Sequence, residues 1–226
     1  MKTLISCTWH SNKKRFGIMA RNRITWSRKF YEKDYLVNYR FPKLESQGVD
    51  HVNFIYISAT DNEIMNPDVE KDTIVISGYK HESPKHHDSF AGMAISAQYA
   101  YSNNMDWCCI EQDCIVKGLR EAIEFASDKN ICYGYGENSS YMDGWAEQSF
   151  VFVPYFWIPE FTRRLNQVEL NHLSNDIPER AWHRTFSDAF TPWPFGHGRK
   201  PVTDWKASVF YKQQLTDDEI NKFTSM

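Results

Sequence analysis

No stretch of this 226-residue sequence approaches the ~18 consecutive apolar residues of a membrane span. The opening MKTLISCTWHSN carries one lysine but too short an apolar run for a secretory signal. No membrane span and a cytoplasmic location are therefore expected. An excess of either charge is also missing. Lys+Arg number 26 against 29 Asp+Glu, a formal net charge of −3, so no bulk field draws a polyanion and nucleic acid is not an expected partner. The five cysteines, Cys7, Cys108, Cys109, Cys114 and Cys132, are odd in number and contain no C-x-x-C pair, and two are adjacent in an apolar run. Free, mostly buried thiols in a reducing compartment are expected rather than a disulfide frame or a zinc site. There is no internal repeat, low-complexity tract or linker, so the expectation is one domain over residues 1–226.

Aromatic residues are abundant, at 15% with eight Trp and twelve Tyr. That exceeds the needs of a small core and suits flat ligands such as bases or sugar rings, although packing is the commoner fate of a large aromatic. One basic stretch, Lys13, Lys14, Arg15, Arg21, Arg23 and Arg28, fits either phosphate contacts or a solvated helix face.

Short apolar runs alternate with segments of helical period, the pattern of an α/β protein with a mostly parallel sheet flanked by helices. Strands are expected at Lys2 to Thr8, Val52 to Ser58, Thr73 to Ser77, Trp107 to Ile110, Ile131 to Tyr135 and Phe150 to Val153. The clearest helix starts after Asp88, a suitable N-cap, and sets Phe90, Met93, Ala94, Ala97 and Tyr101 on one stripe. Further helices are expected at Ile18 to Lys33, Leu119 to Ser127, Ile158 to Val168, Pro178 to Phe186 and Asp217 to Phe223. TPWPFGHGRKPV, between Phe190 and Thr203, reads as an aromatic loop because it holds three Pro and two Gly.

DWCCIEQDC, Asp106 to Cys114, carries the strongest chemical signal. An apolar strand runs straight into Glu111-Gln112-Asp113, and carboxylates at the end of a parallel strand lie where open α/β sheets bind ligands. Two acids this close repel unless a cation or a shared proton offsets the repulsion. Mg²⁺ or Mn²⁺ fits, because such a hard ion takes one or two carboxylates and fills its shell with phosphate oxygens. The plainer alternative is a strand-end turn whose acids face water. Glu179 in SNDIPERAWHR stands in a helical first turn, either as a base or as a simple partner of the macrodipole. His197 stands between two glycines in FGHGR, where backbone can approach a ligand and imidazole can bind metal, with Arg199 beside it for a phosphate.

With these residues in this order the chain resembles glycosyltransferases of the GT-A fold. Their hallmark is an aspartate-any-aspartate motif ending the fourth strand, after a helix beside the donor, and SFAGMAISAQYAYSNNMDWCCIEQD has that order with Glu111 as the first acid. The resemblance implies a GT-A-like, Rossmann-type fold in which Asp113 is the direct metal ligand. Glu111 would contact the metal through water, or the donor ribose, and His197 the metal or diphosphate. Glu179 would be the general base of an inverting enzyme, whereas Glu147, just before a strand, would stabilise the sugar cation of a retaining one. Trp9, at the end of the first strand, would stack on the base, and His87 and Asp88 would meet a donor hydroxyl or phosphate at a helix N-terminus.

The function so implied is metal-dependent transfer of a sugar from a nucleoside-diphosphate donor, with UDP favoured weakly on family frequency, to a carbohydrate or other hydroxyl acceptor. Sugar nucleotidyl transfer is an alternative, disfavoured because no Gly-rich phosphate loop follows the first strand. A non-catalytic carbohydrate- or nucleotide-binding module is another.

Overall fold

A computed structural model of the protein describes residues 1–9, 47–57, 73–77, 87–135, 146–167, 178–196, 198 and 200–226. Strands β1 (Thr3–Trp9), β2 (His51–Ile57) and β3 (Thr73–Ser77) come first, then helix α1 (His87–Ser102) and β4 (Asp106–Ile110). After these come β5 (Cys114–Lys117), α2 (Leu119–Ala126), β6 (Ile131–Tyr135) and β7 (Ala146–Val153). A short 3₁₀ turn at Tyr155–Trp157 leads into α3 (Ile158–Gln167), α4 (Pro178–Phe186), β8 (Phe190–Pro192), β9 (Phe210–Gln213) and α5 (Asp217–Thr224).

Seven strands form one sheet in the order β3-β2-β1-β4-β7-β6-β8, and β5 and β9 form a separate antiparallel pair. β7 alone runs against its neighbours; the other pairings in the large sheet are parallel. The central strands are mostly apolar, as suits strands covered on both faces. DWCCI of β4 and AEQSFVFV of β7 are buried at every position. Alternation along β4 splits its side chains between two cores. Trp107 and Cys109 join Met93 and Ala97 of α1, Phe161 of α3 and Trp182 and Phe186 of α4. Cys108 and Ile110 join Ala122 and Ala126 of α2, Trp193 and Tyr211. α1 is keyed to β4 by the Trp107 indole, whose N–H donates to Ser96 Oγ at 2.8 Å inside the first core.

The five cysteines are buried and none forms a disulfide, and burial pushes the Cys132 thiol up to about 12. Among the described residues no helix is long and apolar enough to cross a membrane.

The expected elements recur, with corrections. α1 starts at His87, so Asp88 lies within its first turn instead of capping it, a position that still favours an acid through the macrodipole. β7 starts at Ala146 rather than Phe150, because AEQS is buried and ladder-bonded despite its polar composition. The stretch expected as loop after Phe190 opens with β8, pairing Phe190, Thr191 and Pro192 beside β6 at the sheet edge, where proline is tolerated. β5 and β9 carry no clear sequence signal. The helix expected at Ile18 to Lys33, with the basic stretch around it, lies outside the described residues.

Candidate functional site

The strand order creates a seam. From β1 the chain moves outward to β2 and β3, then crosses back to β4 on the other side of β1. At such a reversal the connections leave the sheet in opposite directions and open a crevice beyond the strands' carboxyl ends. β1 ends there at Trp9, whose side chain is outside the described set, and β4 ends there at Ile110. Glu111, Gln112 and Asp113 follow immediately.

The turn they make is held from three sides. Glu111 N–H donates to the Ser149 carbonyl of β7 at 2.9 Å, and Cys114 N–H closes the turn on the Glu111 carbonyl at 3.1 Å. Gln214 N–H donates to the Asp113 carbonyl at 2.9 Å. The Gln213 amide donates from Nε2 to Glu111 Oε2 at 2.6 Å, a charge-assisted contact. Asp113 is 8% exposed, so its charge needs compensation. Part of that comes from Lys212, 2% exposed, whose Nζ donates to the Gln213 carbonyl at 2.7 Å. Burial lowers the Lys212 ammonium from its ordinary value, while Glu219, Cys114, Asp113 and Glu147 hold it up.

Glu147 lies on the same edge, since β7 runs antiparallel and begins where β4 and β6 end. Gly134 pairs with Glu147 but Cys132 pairs with Phe152, so residues 148–151 stand opposite Tyr133 alone and the ladder is irregular there. Such bulges re-aim the side chains beside them. Glu147 is buried. A Cβ on Gly134 would fall 2.8 Å from Glu147 Cβ and 1.9 Å from Tyr211 Oη, and one on Gly196 would fall 2.4 Å from Tyr211 Cε1. Two glycines thus clear the space for Tyr211. Its hydroxyl is buried without a hydrogen-bond partner. Burial first, then Glu147 and Cys114, raise that phenol well above its ordinary range, so it keeps its proton.

α4 carries Glu179 in its first turn. The helix ends at Phe186, just before β8 aligns with Ile131 at the start of β6, so its amino end points to the carboxyl edge. One turn on from Glu179, His183 stacks on Tyr135 at the end of β6, with centroids 4.5 Å apart, and its Nδ1 lies 3.4 Å from Tyr133 Oη. Burial lowers the His183 imidazole, favouring the neutral form at pH 7. α1 also begins on this edge, which places the backbone of His87 and Asp88 there; their side chains are outside the described set. His197 and Arg199 lie outside the described residues, but both flanks of His197 are pinned to β9. Gly196 bridges to Tyr211, and the Gly198 carbonyl accepts Gln213 N–H at 2.8 Å.

Glu111, Asp113 and Glu147 are therefore gathered around β9, and Glu179 shares their edge of the sheet on another helix. Among the described residues no group of three His, Cys, Asp or Glu side chains is placed to hold a metal ion by itself. The residues that sequence reasoning missed are Tyr211, Lys212, Gln213 and His183. The first three lie on a four-residue strand with no periodic signal.

No protein-family profile and no curated protein matches the chain in sequence. Solved structures do match in shape. The inositol-1-phosphate CTP transferase of T. maritima aligns over 100% of this chain and 95% of its own, with a TM-score of 0.55 and 12% identity. A glycosyltransferase involved in glycosylation of the major capsid of PBCV-1 aligns over 99% and 97%, with a TM-score of 0.53 and 11% identity. A putative nucleotide-diphospho-sugar transferase from Desulfovibrio desulfuricans G20 covers 84% and 79%, at 0.51 and 9%. The fold is GT-A-like. Within a GT-A-like sheet the E-x-D turn stands at the switch point, with the amino ends of α1 and α4 on the same edge of the sheet.

Proposed function

We propose that the protein is a glycosyltransferase that moves a sugar from a nucleoside-diphosphate donor to an acceptor hydroxyl, assisted by a divalent cation at Asp113. The observation that carries this reading is the acidic turn at the topological switch point of a GT-A-like sheet. The described donor set fits Mn²⁺ or Mg²⁺ only as a shared site: one or two carboxylates from the protein, with the remaining ligands from the diphosphate. When bound, such an ion neutralises the charge that develops on the departing nucleoside diphosphate.

The chain's own groups divide the other tasks. Asp113 holds the cation, and Glu111, fixed by Gln213, faces the donor. His197 and Arg199 reach the diphosphate, while Trp9, His87 and Asp88 line the base and ribose end. Glu179 takes the proton of the acceptor hydroxyl as that oxygen attacks the anomeric carbon, because a hydroxyl is a weak nucleophile until its proton leaves. If the outcome is retention, Glu147 stabilises the sugar cation instead. UDP is the preferred nucleotide and the location cytoplasmic in this reading.

A second reading, nucleotidyl transfer to a sugar phosphate, is favoured by the fold match to the CTP transferase. The absence of a Gly-rich phosphate loop after β1 speaks for sugar transfer. Product analysis with Mn²⁺ separates the two. Sugar transfer, or its leak to water, releases a nucleoside diphosphate from a nucleotide sugar. Nucleotidyl transfer releases pyrophosphate from a nucleoside triphosphate and a sugar phosphate. A binding module releases neither, and that result would overturn both enzymatic readings.

A further inference from the structure

The end of β9 joins two separate parts of the candidate site through one side chain. Gln213 is 5% exposed, and its amide donates to Glu111 Oε2 at 2.6 Å across 102 residues of sequence. The nitrogen must face the carboxylate, because an amide oxygen there would be repelled. The Gln213 backbone N–H takes the Gly198 carbonyl at 2.8 Å, and the next N–H, from Gln214, takes the Asp113 carbonyl at 2.9 Å. Gln214 adopts a left-handed φ of 60°, a conformation that non-glycine residues seldom hold. Successive N–H groups along an extended strand point to opposite sides, so these two reach different partners, Gly198 and the acidic turn.

We infer that Gln213 is a positioning residue of the donor site. Its amide sets the direction of the Glu111 carboxylate relative to Asp113, while its backbone N–H holds the Gly198 carbonyl beside them. It acts through these groups rather than on the ligand. The inference rests on the donor-site reading above and adds a residue to it. Groups that orient ligands from behind in this way change affinity by about 10–100-fold when removed.

The test uses the full chain and titrates Mn²⁺ with UDP, or with whichever of the five common nucleoside diphosphates wild type binds, by calorimetry and thermal shift. Gln213→Leu keeps the volume and removes the donor. Its affinity for the Mn²⁺–nucleotide pair is expected to fall at least about tenfold, with cooperative unfolding retained. A merely structural role would lower the melting temperature and leave the affinity of the folded protein within twofold of wild type; that result overturns the inference. The exchange Glu111→Gln with Gln213→Glu rebuilds an amide–carboxylate bond with the charge moved across it. Melting is expected to recover toward wild type while binding stays weak, and wild-type binding by the exchanged protein would also overturn the inference. Should Gln213→Leu fail to fold, Gln213→Asn, which keeps the amide but shortens its reach to Glu111, is judged by the same tenfold and twofold limits. Failure of the donor-site reading itself has a different signature: wild type binds no nucleoside diphosphate in any metal.

Discussion

Asp113 combines a buried carboxylate with a fixed backbone, which makes it sensitive to charge and tolerant of shape. Asp113→Asn keeps the outline of the side chain and the Gln214 contact, which uses the Asp113 carbonyl. The variant should fold. If its charge supplies about 4 kcal/mol to the departing diphosphate, turnover falls about a thousandfold. Donor hydrolysis at saturating Mn²⁺, beside an unchanged near-ultraviolet circular dichroism spectrum, checks this, and near-normal turnover would remove Asp113 from the metal. Tyr211 makes the opposite case. Its hydroxyl is buried and unpartnered, and a buried polar group left unsatisfied costs about 1–3 kcal/mol. Tyr211→Phe should therefore melt at the same temperature as wild type or higher, and a clear drop in chemical denaturation would reveal a bond to the hydroxyl. The two residues also differ in how visible they are from sequence. Glu111 and Asp113 stand out because an apolar strand runs into them. Tyr211, Lys212 and Gln213 do not, because FYKQ is buried on both faces and its significance depends on partners about a hundred residues upstream.

Among the elements, the parallel strands were the most legible, since strands covered on both faces read as apolar runs, and α1 followed from its three- and four-residue spacing. β7 is longer than its apolar run, because Glu147, Gln148 and Ser149 are polar residues whose burial is decided by the neighbouring strands. The helices α3 and α4 are joined by an exposed charge relay rather than by pattern. Glu160 accepts from Arg163 and Arg164 at 2.7 Å, and Arg164 reaches on to Asp188 beyond the end of α4. Arg163 first and Arg164 second hold the Glu160 carboxyl down at about 2, against an ordinary value of 4.5. A carboxyl lowered by folding contributes stability above its unfolded value and loses it as pH falls toward the folded one. Wild type should thus lose melting temperature more steeply than Glu160→Gln between about pH 5 and pH 2. The difference should shrink in 1 M salt, because the pairs are exposed. Parallel acid limbs for the two proteins would show that the relay adds nothing. For Glu179, at the open end of α4, Glu179→Gln should lower kcat for transfer while Mn²⁺–nucleotide affinity is kept. Transfer at the wild-type rate would assign the proton to another group or point to retention.

At the scale of the whole molecule, the candidate site lies on the seam between β1 and β4, where the two halves of the sheet meet, so occupancy of the site should be felt by global unfolding. Within the protein Glu111 and Asp113 are compensated by Gln213 and by the buried ammonium of Lys212, whose charge interacts with Asp113. Mn²⁺ alone then meets carboxylates that are already partly satisfied, with no third described acid to complete its shell, and should raise the melting temperature only slightly. A nucleoside diphosphate brings the missing oxygens, so the two together should stabilise far more than the sum of each alone. The gain follows RT ln(1 + [L]/Kd), about 2.7 kcal/mol at a hundredfold excess over Kd. Thermal shifts with uridine, guanosine, cytidine, adenosine and thymidine diphosphates, each with and without Mn²⁺, measure this directly and rank the bases, with uridine expected first. The cooperative part should vanish in Asp113→Asn and persist in Glu179→Gln, since the proposed function gives the ion to Asp113 and the proton to Glu179. If no diphosphate shifts the curve in any metal, the acids at the end of β4 are a turn braced by β9, and the donor-site reading falls.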